Sequence, residues 1–209
     1  MKKVLMACLA SFIIGVIAFV LIPKTEVVHM EASYAHRSEK DLVDLADTII
    51  RGKVKEQLPS KQGAPGLSNL IYTDTIVAVE EIYKGVPYSD LISIRKKGGK
   101  VGNVIAIYEY GSFEVEEEVI LFLVKDDRGF IDEDYYFTVG GPQGMFHLKE
   151  NEVGEQIFES RLGRYTLKRS SVKKQIENTM KELEENPITR MTREEIDKAN
   201  ESVFGKKVD

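Results

Sequence analysis

Two glycine-bearing stretches, one acidic stretch and three histidines are the parts of this chain whose residue types suit chemistry. Residues 139–148 read VGGPQGMFHL, with Gly140, Gly141 and Gly144 set around Gln143. A loop that cradles phosphate needs a strand, a glycine turn and then a helix start whose free amides meet the anion. Here the turn runs into MFHLKE, a strand pattern, and neither Gly-x-Gly-x-x-Gly spacing nor a following Lys-Ser/Thr pair is present. A nucleophile elbow needs Ser or Cys between the glycines, and there is none. The three glycines are therefore read as a sharp corner that needs positive φ or close backbone approach. A shaped surface for a ligand, including Gln143, is the alternative.

The second stretch, residues 95–103, reads RKKGGKVGN and carries Arg95, Lys96, Lys97 and Lys100. Such a run can attract an anionic envelope polymer or lipid headgroups. The competing reading is a hairpin loop with solvated charges. Asp126, Asp127, Asp132, Glu133 and Asp134 form the acidic stretch, and their spacing does not fit a 12-residue calcium loop with its bidentate Glu. His29, His36 and His147 are spread along the chain with no His-x-x-x-His or His-Glu-x-x-His pattern, so no zinc site is expected. No serine has a supporting motif and no carboxylate pair stands out. The expectation is a noncatalytic protein without metal or cofactor, and a hydrolase with an unrecognised carboxylate site remains the alternative.

What must position these residues is mostly β structure. Ser38 suits a helix N-cap with Asp41 in the first turn, and Leu42, Leu45, Ala46 and Ile49 keep helical spacing. A strand takes over near Thr48. Alternating runs follow in IYTDTIVAVEEIYKG, DLISIRKK, NVIAIYEY, EVILFLVK, DYYFTVGG and GMFHLKE. Short strands with no helices between them predict a sandwich or barrel rather than a parallel βαβ sheet. The segment QLPSKQGAPGLSN, rich in Pro and Gly, predicts a mobile loop. Past Glu159 the pattern turns helical: Val172, Ile176, Met180 and Leu183 share one face of a helix ended by Pro187. Thr192 and Glu195 form a capping box for a last helix near 193–204. That apolar face is expected to cover the barrel, with partner binding as the sharper alternative.

The N-terminus gives the strongest signal. Met1-Lys2-Lys3 precedes roughly 19 uncharged, mostly apolar residues, close to the ~20 that cross a bilayer as a helix. The lysines predict a cytoplasmic start and an outside bulk. The run is longer than a secretory signal core, so it reads as an uncleaved anchor; cleavage would make the protein secreted. Leu5-Met6-Ala7-Cys8 has the lipobox order but precedes the apolar run, so Cys8 reads as a small apolar residue. No cysteine follows it, which rules out a disulfide framework in the exported part and fits a bacterial envelope. A net charge of −5 argues against nucleic acid as a partner.

The order LADTIIRGKV, YTDTIVAVEEIYKG, FEVEEEVILFLV and YYFTVGGPQGMFHL resembles an uncharacterised family of exported bacterial proteins. Its pattern is Ala-Asp-x4-Gly-x-Val, a Glu-x-x-Lys-Gly strand end, an apolar strand and a Gly-Gly-x-x-Gly-x-Phe corner. The resemblance covers about residues 47–148 and carries no activity. More distantly the layout is similar to the netrin-module and metalloproteinase-inhibitor fold, an OB-type barrel. That implies inhibition of proteases or binding of extracellular ligands. Inhibitors of that fold act through an N-terminal cysteine on zinc, and this chain has no cysteine outside the apolar segment.

Together these readings predict a mainly β (α+β) protein: a small antiparallel OB-like barrel with a short N-terminal helix and C-terminal helices, preceded by one transmembrane helix. The expected divisions are an anchor (1–23), a stalk (24–37), the barrel domain (38–160) and a helical tail (161–209). The expected role is a membrane-anchored, extracytoplasmic binding or adaptor module. Its partner would be another envelope or secreted protein, or an anionic envelope polymer. A membrane-tethered protease inhibitor is the second reading.

Overall fold

The computed structural model describes residues 24–30, 34–64, 67–108, 113–125 and 134–190, together with Glu195 and Lys198. The apolar N-terminal segment, most of the last expected helix and most of the acidic stretch lie outside the described residues. No described helix is long and apolar enough to cross a membrane.

The chain is mainly β, with two α-helices among the described residues. The first, α1 (Glu39–Leu45), starts as its sequence predicts. Ser38 Oγ accepts from Asp41 N at 3.0 Å, and Asp41 Oδ2 accepts from Ser38 N at 3.0 Å, so two N-terminal amides are satisfied reciprocally. The helix hands over to β2 (Thr48–Gln57), which pairs antiparallel with the 18-residue β4 (Leu67–Lys84). Three register shifts along that pair bend the two strands and help the sheet to curl. β4 pairs with β5 (Leu91–Lys97), and β2 pairs on its other side with β8 (Glu118–Lys125). β9 (Tyr136–Thr138) bonds both β5 and β8 and closes the ring. The result is a five-stranded barrel in the order β8–β2–β4–β5–β9. Its neighbours are antiparallel, as the sequence predicts, except at the β5–β9 seam, which is parallel. The reason is parity: a closed ring of five strands cannot alternate direction at every seam, so one pairing must be parallel.

Beyond the ring, β10 (Met145–Glu150), β11 (Gln156–Ser160) and β12 (Thr166–Lys168) extend the sheet outward from β8. This makes β8 a strand buried on both faces. Val119, Leu121 and Leu123 enter the barrel core with Ile50, Val77 and Ile92. Ile120 and Phe122 face a second core with Leu42, Phe146 and Phe158. Double burial explains the unbroken apolar run VILFLV. The second core is closed by α2 (Val172–Glu185), whose Val172 and Ile176 are buried, with Met180 and Leu183 packed against it. The apolar face of this helix thus packs against the second core, as its sequence predicts.

Two segments are more ordered than their composition suggests. Residues 26–30, expected as stalk, form β1 (Glu26–Met30), which pairs in parallel with β7 (Val104–Tyr108). With β6 (Gly99–Val101) they make a separate three-stranded sheet. The Pro/Gly-rich loop contains β3 (Lys61–Ala64), an antiparallel extension of β4. In both cases a backbone partner distant in sequence supplies the order, and hydrophobic periodicity does not report it.

Candidate functional site

The glycine corner is built as a 3-10 turn over Gly141–Gly144. Gly140 and Gly141 take φ of 61° and 59°, the left-handed region that glycine enters without a Cβ penalty. A Cβ on Gly141 would lie 2.4 Å from the Tyr34 ring, and one on Gly144 would lie 2.5 Å from Val139 O. Gln143 is wholly buried and holds the incoming chain. Its Nε2 donates to Ala35 O at 2.9 Å, and its Oε1 accepts from Arg37 N at 2.8 Å. Tyr165 Oη donates to Arg37 O at 2.7 Å. Residues 34–37 of the same chain thus pack on Gly141 and Gln143, while Gly141 and Pro142 also line a pocket of about 190 Å3 with Lys96 and Lys97.

The basic run divides between buried and exposed positions, and Arg95, Lys96 and Lys97 all line that pocket of about 190 Å3 beside Gly141. Arg95 is not on a loop: it lies on β5, directly opposite Asp74 of β4, and only 6% of it is exposed. Its Nε and Nη2 donate to the two Asp74 oxygens, each at 2.7 Å. The Tyr72 and Tyr135 ring centroids lie 4.1 and 3.9 Å from the guanidinium carbon. A planar cation stacked on two rings with its charge neutralised bidentately is a buried group of the fold rather than a solvated surface charge. Lys97 and Lys100 are exposed, and Lys100 N donates to Ser60 Oγ at 3.0 Å.

Lys96 differs from all of these. Strand alternation puts it on the inward face of β5, in line with Ile92 and Ile94 of the barrel core. It reaches the end of the barrel, where a cleft of about 590 Å3 opens. Gln57 at the end of β2 and residues 58–60 between β2 and β3 form one lip of that cleft, and Thr73 and Thr75 of β4 line the wall beside Lys96. Ala106–Tyr108 of β7 and Phe113 complete it. The lip is tied down: Ser60 Oγ and Thr73 Oγ1 are 2.9 Å apart, Thr73 Oγ1 donates to Gly98 O at 2.7 Å, and Gln57 Nε2 donates to Phe113 O.

Lys96 Nζ is buried and makes no hydrogen bond; the nearest aromatic face is Phe113, with its ring centroid 5.8 Å away. Burial pushes its pKa down to about 8, Arg161 pushes the same way, and Glu117 opposes them. Arg161 and Glu117 are themselves ion paired. The same pair acts on His147, whose Nδ1 is also buried without a hydrogen-bond partner and whose pKa is lowered by burial first and Arg161 second. His147 shares the inward face of β10 with Met145, and Arg161 N donates to Met145 O at 2.8 Å. The Arg161–Glu117 pair thus acts on both Lys96 and His147.

Of the expected chemistry elsewhere, His36 Nε2 lies 3.1 Å from Tyr165 Oη, and Asp134 pairs with Lys125 at 2.9 Å. No described group of His, Cys, Asp and Glu is placed to hold a metal ion. Among the described residues, the carboxylates of Glu80, Glu81 and Glu118 gather around Arg51 at 3.5, 3.4 and 2.9 Å. Sequence reasoning singled out Lys96 only as part of a run. The alternation Ile92-Ile94-Lys96 is the signal that separates it from its neighbours. Glu117 and Arg161, 44 residues apart, carry no local signal of their meeting.

Comparison of the chain with protein-family models, curated proteins and solved structures finds no match.

Proposed function

We propose that this chain is a noncatalytic binding module, tethered to the membrane by residues 1–23 with its barrel on the outer side, and that it engages its ligand at the barrel mouth beside Lys96. The observation that carries the reading is the cleft and its position. The five barrel strands follow one another in the ring as first, second, third, fifth and fourth, with a parallel third–fifth seam, which supports an OB-type barrel. Barrels of that type take extended ligands on the second and third strands and the loop between the first and second. Here those parts are β4, β5 and residues 57–60, and they line the cleft. An anionic envelope polymer or an acidic segment of an envelope protein fits a mouth with a buried ammonium.

The test is position-specific photo-crosslinking of the full chain in intact cells. A crosslinker replacing Pro59, on the lip, should form a discrete adduct. One replacing Lys173, exposed on α2, should form none. Equal labelling at both positions, or none at Pro59, overturns the mouth as the binding surface. A secreted protease as the Pro59 adduct would favour the inhibitor reading over the polymer. Tethering is tested separately by protease shaving of intact cells: protection of the C-terminal tail overturns the outside placement.

A further inference from the structure

The sheet of β1, β6 and β7 has two unlike faces. Residues directly opposite on paired strands share a face, and successive residues alternate between faces. The pairings Val27 with Ile105, His29 with Ile107 and Lys100 with Ile105 therefore gather these five side chains on one face. The other face carries Ala106, which is buried, and Tyr108, and both line the cleft. The first face is open: Val27 is 48% exposed, Ile107 is 43% exposed and Ile105 is half-buried. Val28, on the opposite face of the same edge strand, is exposed as well.

What covers the open face follows from where the chain enters it. Only Lys24 and Thr25 separate residues 1–23 from Glu26, so β1 begins within about 11 Å of the end of the apolar segment. Glu26 N donates to Asn103 O at 2.8 Å, which pins the β6–β7 turn beside the same point. Exposed apolar side chains gathered on one face mark a contact with a protein or a membrane. A face that starts where the proposed tether ends has the bilayer as its nearest neighbour. We infer that the face carrying Val27, Ile105 and Ile107 lies on the phospholipid surface that residues 1–23 enter. The three apolar side chains meet the boundary between headgroups and acyl chains. Lys100, exposed on the same face, lays its stem along that boundary and its ammonium among the headgroup phosphates. β1 is paired on one side only among the described residues, and an unpaired strand edge in hydrocarbon is costly, so the contact goes no deeper than the headgroup boundary. The cleft, on the other face of β7, then opens one sheet away from the membrane. This inference rests on the reading of residues 1–23 as a tether and names the surface that the tether brings to the bilayer.

The chain has no tryptophan, so a single introduced one reports its own surroundings. Val27→Trp and Ile107→Trp are made separately in the full chain, both at exposed positions that leave the core intact. Each is placed in nanodiscs of phosphatidylcholine and phosphatidylglycerol, with and without bromine on the acyl chains near the headgroup. Both tryptophans should lose most of their emission to the brominated lipid. Val86→Trp is the control: Val86 is 86% exposed at the turn between β4 and β5, at the other end of β5 from β6, and its emission should be unchanged. Unquenched emission at both test positions, in chains that co-purify with the nanodiscs, overturns the sheet contact and leaves the tether standing. Equal quenching at Val86 overturns it too, because the protein would then meet the bilayer without a preferred face. A move to shorter wavelength that grows with protein concentration and ignores the bromine means that a second copy of the chain covers the face, and overturns the lipid assignment. Chains that do not enter nanodiscs at all overturn the tether, and the sheet contact with it.

Discussion

Arg95 and Lys96 are neighbours on one strand, and the molecule treats them in opposite ways. Arg95 faces away from the barrel core, with its Nε and Nη2 on the Asp74 carboxylate and the Tyr72 and Tyr135 ring centroids 4.1 and 3.9 Å from its guanidinium carbon. Lys96 faces inward to the barrel end, where its ammonium has no hydrogen-bond partner. Both charges are buried, but one is answered within the chain and the other is not. A fully answered buried charge fixes a structure, while an unanswered one leaves free energy available to a ligand. The difference follows from the two-residue period of a strand, which sends adjacent side chains to opposite faces.

The comparison can be broken first at the caged pair. Asp74→Ala leaves the guanidinium buried and uncompensated, and should cost about 3–5 kcal/mol in urea unfolding. Replacing both partners together, as Asp74→Leu with Arg95→Met, should recover most of that loss. Failure to recover would mean that Arg95 does more than balance Asp74.

Lys96 should respond with the opposite sign. Its folded pKa, about 8, lies below its unfolded value, so the unfolded chain binds the proton more tightly. The penalty is complete below about pH 8 and is relieved as pH rises from there toward the ordinary lysine range. Lys96→Met should therefore stabilise the protein at pH 7 by on the order of 2–3 kcal/mol. It should also remove the part of the stability gain between pH 8 and 10.5 that belongs to this group. Unchanged unfolding midpoints in Lys96→Met would contradict the unanswered charge.

Smaller effects sharpen the contrast at the chain's entry. Gln143→Ala strips partners from Arg37 N and Ala35 O and should cost about 2 kcal/mol, with faster hydrogen exchange confined to residues 34–37. Ser38→Ala removes one half of the capping box and should cost about 1 kcal/mol by thermal unfolding. Neither change should alter the titration of Lys96.

How far the sequence could be read depended on the range of the interactions. The Ser38 N-cap of α1 with Asp41 in its first turn, the apolar stripe of α2 and the alternating strands are local patterns, and each is present where its residues predict it. The five-stranded closure was legible only as a class, because the β5–β9 seam joins residues 42 positions apart through one parallel pairing. The stalk and the Pro/Gly-rich loop were misjudged for the same reason, since β7 and β4 supply the order that their own composition lacks. At the candidate site, a basic run suggested a charged surface. Burial sets Arg95 and the Lys96 ammonium apart from the exposed Lys97 and Lys100, and the influence of Glu117 and Arg161 on Lys96 arises only through folding.

The most direct test is the titration of the Lys96 amine in the full chain, followed by NMR of labelled lysine and assigned with Lys96→Met. The account predicts a midpoint of about 8 in the absence of added anions, well below the ordinary lysine value. A midpoint in the ordinary lysine range would contradict it, because the ammonium would then be solvated or already paired and the barrel mouth would hold no charge awaiting a ligand.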